Sequence, residues 1–235
     1  MSKTIYKKDG EWYIRIYSIQ PIEFVSKLKQ DGVIFGDKNA IINRLKSEDM
    51  EDFVTSYQYL ADKMNEKQGS SYNALPIWFW FRFSRKSFRP DMRFCKTYVL
   101  RGHDAYLIEA ELPLKQVTLT DYCDWHCVLN NWYCAKNDES KYDDFDNRLE
   151  KALKTKEIHK FQFDDYPEEF KEEIRSSWDQ IFTNINTDEY QGLSQKAIKD
   201  KLTEYLDSQE NYSLQATAFM LKLENVVNIT QYHRK

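Results

Sequence analysis

Glycine and proline are scarce in this chain, at six and five of 235 residues, which excludes a loop-dominated or disordered protein. No apolar run approaches the roughly 20 residues that a membrane-crossing helix needs. Met1 to Gly10 lack the apolar stretch of a signal peptide. Those two absences point to the cytoplasm and away from a membrane. The sequence also lacks a Gly-x-Ser-x-Gly elbow, a Walker loop, a Gly-x-Gly-x-x-Gly turn and a His-Glu-x-x-His pair. It therefore carries the signature of no common hydrolase. Basic residues do not exceed acidic ones, 34 against 38, so net charge gives no general attraction to nucleic acid, although a local patch still can.

Cysteine is sparse as well, with Cys95, Cys123, Cys127 and Cys134. The last three cluster around His126, a composition that zinc would accept. Cys123 and Cys127 fall one helical turn apart and no Cys-x-x-Cys knuckle is present, so no metal is expected. Small, buried, reduced thiols are the expectation in a large cytosolic domain.

Aromatic residues are what the chain has in quantity: 15% of the total, with 16 Tyr and 14 Phe. Many core contacts should therefore be aromatic. Trp12 to Ile19 alternates, with Trp12, Ile14 and Ile16 on one side and Tyr13, Arg15 and Tyr17 on the other, predicting a strand with two useful faces. Pro21 suits a first helical position, Ile22, Val25 and Leu28 form a stripe, and Gly32 stops the helix before Val33-Ile34. A helix is predicted over about 48–67, and strands over 75–83, 97–101, 105–112 and 117–119. Asp121 caps a helix through Asn130, with Asp124 at the reciprocal position.

The second half changes character. Helices at 140–155, 168–182 and 195–207 make a helical insertion over about 134–210, before strands at 214–221 and 226–231. Two isolated strands are marginal, so the last ones should pair back into the N-terminal sheet. The prediction is one α+β domain over residues 1–235, a mixed or antiparallel sheet with peripheral helices.

Two constellations stand out. Pro76 to Phe83 is a dense aromatic run that passes into Arg82, Arg85, Lys86, Arg89 and Arg93. Alternation puts Ile77, Phe79 and Phe81 in a core and Trp78, Trp80 and Arg82 on the opposite face, where flat rings beside positive charge suit an anionic, aromatic ligand. A core strand followed by an exposed basic loop is the plainer reading. The second constellation runs from Asp121 to Trp132. There His126 either acts as acid, base or donor, or satisfies the backbone of a capped helix. Glu109 and Glu111 share one strand face, as a carboxylate pair or as partners for nearby Arg or Lys. The acidic run from Asp164 to Glu173 reads as a solvated helix start.

Several segments together resemble a family of bacterial and phage proteins known only as a domain of unknown function. They are Tyr17 to Pro21, Pro76 to Trp80, Pro90 to Arg93, Asp121 to Asn130 and Gln215-Ala216-Thr217. The opening strand, the helix ending at Gly32-Val33-Ile34, and Gln215-Ala216-Thr217 before Glu224 are also similar to the ends of DarT-type ADP-ribosyltransferases, which use NAD to modify nucleic-acid bases. Members of that group carry a catalytic glutamate just after the Gln-Ala pair, where this chain has Thr217, and a first-strand histidine, where it has Ser18. A hydroxyl cannot supply the negative charge that stabilises an oxocarbenium-like centre. The resemblance therefore implies a shared fold with altered or lost chemistry.

It also implies a site. NAD or a nucleotide would be held with Arg93 or Arg82 on phosphate and Trp78 or Trp80 stacked on a ring. Gln20, His126, Gln215 and Thr217 would line the pocket, and Glu111 or Glu224 would replace the missing acid. Two other readings use the same residues. One is a non-enzymatic module that binds nucleic acid or a partner protein; the other is an assembly component whose exposed aromatics form an interface.

Overall fold

The computed structural model describes residues 4–84, 87–93, 101–136, 138–155, 163–184, 194, 196–197, 200 and 213–234. The chain opens with β1 (Ile5–Lys8), β2 (Glu11–Gln20), α1 (Ile22–Asp31) and β3 (Val33–Phe35). Helices α2 (Lys38–Ser47) and α3 (Phe53–Gln68) precede β4 (Ile77–Arg82), β5 (Asp104–Pro113) and β6 (Thr118–Asp121). After α4 (Tyr122–Leu129), α5 (Glu139–Thr155) and α6 (Glu168–Ser177) come β7 (Phe182–Asn184), β8 (Leu214–Ala218), β9 (Met220–Lys222) and β10 (Val226–His233). The fold is α+β, and every pairing among the described residues is antiparallel.

The main sheet runs in the order β10-β5-β2-β4-β8-β6-β7, with β1 added to β2. The first long strand, the 105–112 strand and the last strand thus lie side by side, as expected from the marginal stability of isolated strands. Alternation decides which side chains are buried where. Trp12, Ile14 and Ile16 of β2, Phe79 and Phe81 of β4, Ile108 and Leu112 of β5, and Ala216 of β8 share one core with Val25 and Leu28 of α1. Trp78, of the opposite parity, packs instead against a second core built by Leu60 and Met64 of α3, Trp125 of α4, Leu149 of α5 and Ile174 of α6. The sheet is therefore covered on both faces around β4.

The structure departs from the sequence reading of element bounds in four places, and in the placement of Arg82. The helix expected over 48–67 begins only at Phe53, because Asp49 turns the backbone to φ 54° and ends the preceding turn. Before it lies α2, which was not anticipated: Asp37 caps it by accepting from the Ala40 N–H at 2.9 Å, yet Leu45 is its only buried residue. The strand expected over 214–221 breaks at Phe219, which turns into the second core and frees β9 to form a separate ribbon with β3. The helix expected over 168–182 stops at Ser177, and the chain re-enters the main sheet as β7 beside β6. The predicted strand at 97–101 and helix at 195–207 fall almost entirely outside the described residues. Among the described residues no helix is long and apolar enough to cross a membrane.

Gly36 fixes how the β3–β9 ribbon meets the main sheet. A Cβ there would stand 1.6 Å from the Leu75 carbonyl oxygen, and the Gly36 N–H donates to the Phe219 carbonyl at 3.0 Å. Backbone meets backbone, so no side-chain rotation relieves the clash. Gly36→Ala is expected to destabilise the fold by about 3 kcal/mol, the upper end of ordinary overpacking. Urea denaturation with an unchanged midpoint would show that the two segments do not approach this closely.

Candidate functional site

Where the aromatic strand meets the late Gln-Ala-Thr strand, register brings the candidate residues together. Trp80 lies opposite Gln215, which lies opposite Thr120; Trp78 lies opposite Thr217, which lies opposite Thr118. On the other edge of β4, the Ser18 hydroxyl donates to the Trp78 carbonyl at 2.8 Å, and Gln20 Nε2 donates to that hydroxyl at 2.7 Å. Gln20, Ser18, Trp78 and Thr217 therefore form one transverse band across β2, β4 and β8. Ser18 from the opening strand and Thr217 from the late strand thus meet at Trp78.

Helix α4 roofs this band. Its start is fixed twice: Asp121 Oδ1 accepts from the N–H groups of Cys123 and Asp124, at 2.7 and 3.4 Å, and the Tyr122 N–H donates to the Ser213 carbonyl at 3.0 Å. Tyr122 then faces Trp80 with ring centroids 5.6 Å apart, and Trp125, one turn on, faces Trp78 at 5.0 Å. Tyr57 of α3 closes the group edge-on to Trp78 and Trp125, at 6.1 and 5.8 Å.

Three buried polar atoms in this region make no hydrogen bond among the described residues: Trp78 Nε1, Gln215 Oε1 and Asp121 Oδ2. They sit on β4, on β8, and at the junction of β6 with α4. Leaving such a group unsatisfied costs about 1–3 kcal/mol, so three in one neighbourhood is an unusual concentration. Burial also raises the Asp121 pKa, opposed by the two helix N–H groups and by the Arg82 charge. Asp124 is pushed up to about 6, by burial first and by the Asp121 charge second.

The other predicted residues are placed as follows. A bulge between Trp80 and Arg82 sets Arg82 opposite Leu214, so Arg82 leaves the row of Trp78 and Trp80 that simple alternation assigned to it. Leu214 also pairs with Asp121, so Arg82 and Asp121 flank the same residue. Thr217 is fully buried and its hydroxyl donates to the Thr118 carbonyl at 3.3 Å. The His126 ring nitrogen Nδ1 bonds the Tyr122 carbonyl at 2.8 Å, and its own carbonyl accepts from Asn130 Nδ2 at 2.8 Å, which is the helix-satisfying arrangement.

Arg93 lies in the exposed turn after β4, clasping Asp91 through Nη2 at 2.6 Å and Nε at 2.9 Å. Arg85 and Lys86 are outside the described residues. Glu111 stands on β5, which β2 separates from β4, and is held by Tyr6 and Arg15. Burial pushes its carboxyl up, but the bonds from Tyr6 and Arg15 outweigh that and hold it below the usual range. Arg15 also pairs with Glu109 at 3.0 Å, so these two glutamates are ion-pair partners. Glu224 is exposed in the turn between β9 and β10 and pairs with Lys222 at 3.4 Å. Neither glutamate is on the strands that carry Gln215.

The carboxylate on the strand next to β8 is Asp121, opposite Leu214 and one position on from the partner of Gln215, and the sequence suggested it only as a helix cap. A cap occupies one oxygen, and the signal for a second role was its place as the last residue of a strand that runs directly into a helix. Among the described residues no group of three or more metal-type side chains gathers.

The raised Asp124 pKa has a stability consequence. Its carboxyl is ordinarily at 3.8 and is raised in the fold, so folding is opposed once the group must ionise. The cost is absent below about pH 4, grows between pH 4 and 6, and is complete above it. Asp124→Asn is therefore expected to stabilise the protein at pH 8 by on the order of 1–2 kcal/mol, discounted for partial exposure, and to match the wild type at pH 3.5. Urea midpoints at the two pH values test this; a pH-independent difference would contradict it.

No curated protein and no solved structure matches the chain. A family model does, over residues 15–227, from within β2 into β10 and across every strand of the band around Trp78. The chain belongs to the family described as Domain of unknown function (DUF3841).

Proposed function

We propose that the band around Trp78, roofed by α4, binds a nucleotide-like ligand, with NAD as one candidate. The observation that carries this reading is two buried, unpartnered polar atoms among aromatic rings, Trp78 Nε1 and Gln215 Oε1, with a third, Asp121 Oδ2, at the end of the adjoining strand. One is a donor and two are acceptors, so a ligand that satisfies them brings both kinds of group. The carboxamide of nicotinamide and the amino edge of adenine each do so. Aromatic surroundings with a few convergent polar groups are the usual composition of a small-molecule site. The resemblance to DarT-type transferases supports the same ligand class.

The proposal is for binding rather than group transfer. Thr217 has its hydroxyl engaged with a backbone carbonyl, and Glu111 and Glu224 are held in ion pairs elsewhere. A second reading is a non-enzymatic nucleic-acid module, favoured by the exposure of Arg93 in the turn that follows the aromatic strand. There Arg93 is paired with Asp91, and an exposed pair of this kind is readily exchanged for phosphate.

Thermal shift and calorimetry with NAD, ADP-ribose, AMP and a short single-stranded oligonucleotide test the proposal. A binding nucleotide at one hundred times its dissociation constant should stabilise the protein by about 2.7 kcal/mol. Gln215→Ala should weaken that binding roughly tenfold, about 1.4 kcal/mol, without lowering the unliganded melting temperature. Stabilisation by the oligonucleotide alone, lost in Arg93→Ala, would select the second reading. No stabilisation by any of them would overturn both.

A further inference from the structure

The main sheet ends on a long strand. β10 closes the order β10-β5-β2-β4-β8-β6-β7, and among the described residues no strand pairs with its far side. The opposite rim, β7, is three residues long, and such shortness protects an edge from further pairing. β10 has eight residues, Val226 to His233, with no proline, lysine, arginine or acid among them. Its irregularity falls between Val226 and Asn228, which leaves Asn228 to His233 in even register with Glu109 to Asp104. The charges, prolines and bulges that usually blunt an exposed rim are thus missing along its last six positions.

The phase of the hydrogen bonds says which backbone groups point outward. The Arg15 N–H donates at 2.8 Å to the Thr4 carbonyl, just before β1, so the even residues of β2 turn to β5. There Ile16, Ser18 and Gln20 meet Ala110, Ile108 and Tyr106. The odd residues of β5 therefore turn to β10, where Glu109, Leu107 and Ala105 meet Asn228, Thr230 and Tyr232. The Arg234 N–H keeps this phase by donating to the His103 carbonyl at 3.2 Å. Ile229, Gln231 and His233 are left with their N–H and C=O groups directed away from the sheet.

We infer that β10 is the pairing edge for a second copy of this chain, joined antiparallel about a two-fold axis at Gln231. A two-fold perpendicular to the sheet keeps each face on its own side, so only residues of equal parity oppose each other. Setting Gln231 opposite Gln231 places Ile229 opposite His233 on both sides of the axis. All of these residues face outward, so each opposed pair exchanges two backbone bonds. The Gln231 side chain carries both donors and an acceptor, so it is compatible with its own image. A strand with no lysine, arginine or acid meets a copy of itself without like-charge repulsion, and it offers a charged foreign segment no counter-charge. Val227, 48% exposed, and the half-buried Ile229 are the apolar side chains that the second copy would cover. The product is one antiparallel sheet continuous through two molecules, with the band around Trp78 far from the joint, since β5 and β2 lie between β10 and β4.

Light scattering on size-exclusion fractions of the full chain tests the inference. The mass should double as concentration rises from about 5 to about 200 µM, the range that suits a small interface. Gln231 is exposed, so it can be replaced without disturbing a core. Gln231→Lys and Gln231→Glu should each weaken association about fivefold, because like charges then oppose each other across the axis. An equimolar mixture of the two should associate at least as tightly as the wild type. Amide hydrogen exchange on the wild type gives a readout that no variant affects. The amides of Ile229, Gln231 and His233 should slow as concentration rises, whereas those of Thr230 and Tyr232 stay protected throughout by their bonds to β5. A chain still monomeric at the highest concentration, or a dimer in which those three amides exchange unchanged, would overturn the inference. So would variants that associate like the wild type, a mixture that fails to recover, or protection of the three amides already in the monomer.

Discussion

The architecture depends on β4 being paired along both edges. A six-residue strand with two tryptophans and two phenylalanines is too apolar to lie at a rim. Flanked by β2 and β8, it buries Phe79 and Phe81 in the core beneath α1 and gives Trp78 to the core beneath α4. Because β2 comes from the start of the chain and β8 from its last tenth, the strand joins two distant segments. The Ser18 hydroxyl on the Trp78 carbonyl fixes one side of that join, and the Trp78–Thr217 pairing fixes the other.

Two acidic pairs on the same sheet have opposite fates. Glu109 and Glu111 share Arg15, and Tyr6 completes the coordination of Glu111. That pair is locally neutralised, and the bonds from Tyr6 and Arg15 hold the Glu111 carboxyl low, as in a structural cluster. Asp121 and Asp124 lie at the start of α4, where helix N–H groups compensate part of their charge but burial raises both. The contrast separates the carboxylates that hold strands together from those left with capacity to bind something. Perturbed acids next to unsatisfied polar atoms are the commoner mark of a site.

Much of this was legible in the sequence, and the exceptions have physical causes. Strand β2 and the core side of β4 followed from alternation, since period-two burial is written directly in residue polarity. The return of the last strand to the N-terminal sheet, where it lies beside β5, was legible because two strands alone cannot persist. The place of Arg82 was not, since a bulge adds one residue to one strand without a compositional mark. Helix α2 escaped notice because it presents only Leu45 to a core. The break at Phe219 was hidden inside a continuous strand-like run; only the tertiary pull of the second core and the Gly36 N–H on its carbonyl turn the chain there. Glu111 and Glu224 were candidates by residue type, and their ion-pair partners are not adjacent enough along the chain, or not distinctive enough, to have been assigned.

The position of β8 between β4 and β6 sets a condition on how the protein emerges from the ribosome. Until residues 214–218 are released, β4 and β6 have no common neighbour, and each presents a row of unpaired backbone groups beside exposed tryptophan. The nascent chain is thus held open along the seam that later carries the band around Trp78, from the synthesis of β4 until β8 follows. Such late, long-range closure favours slow folding and a need for chaperone shelter. It also makes the seam the most vulnerable part of a truncated product, which would expose its aromatic strand to other nascent chains.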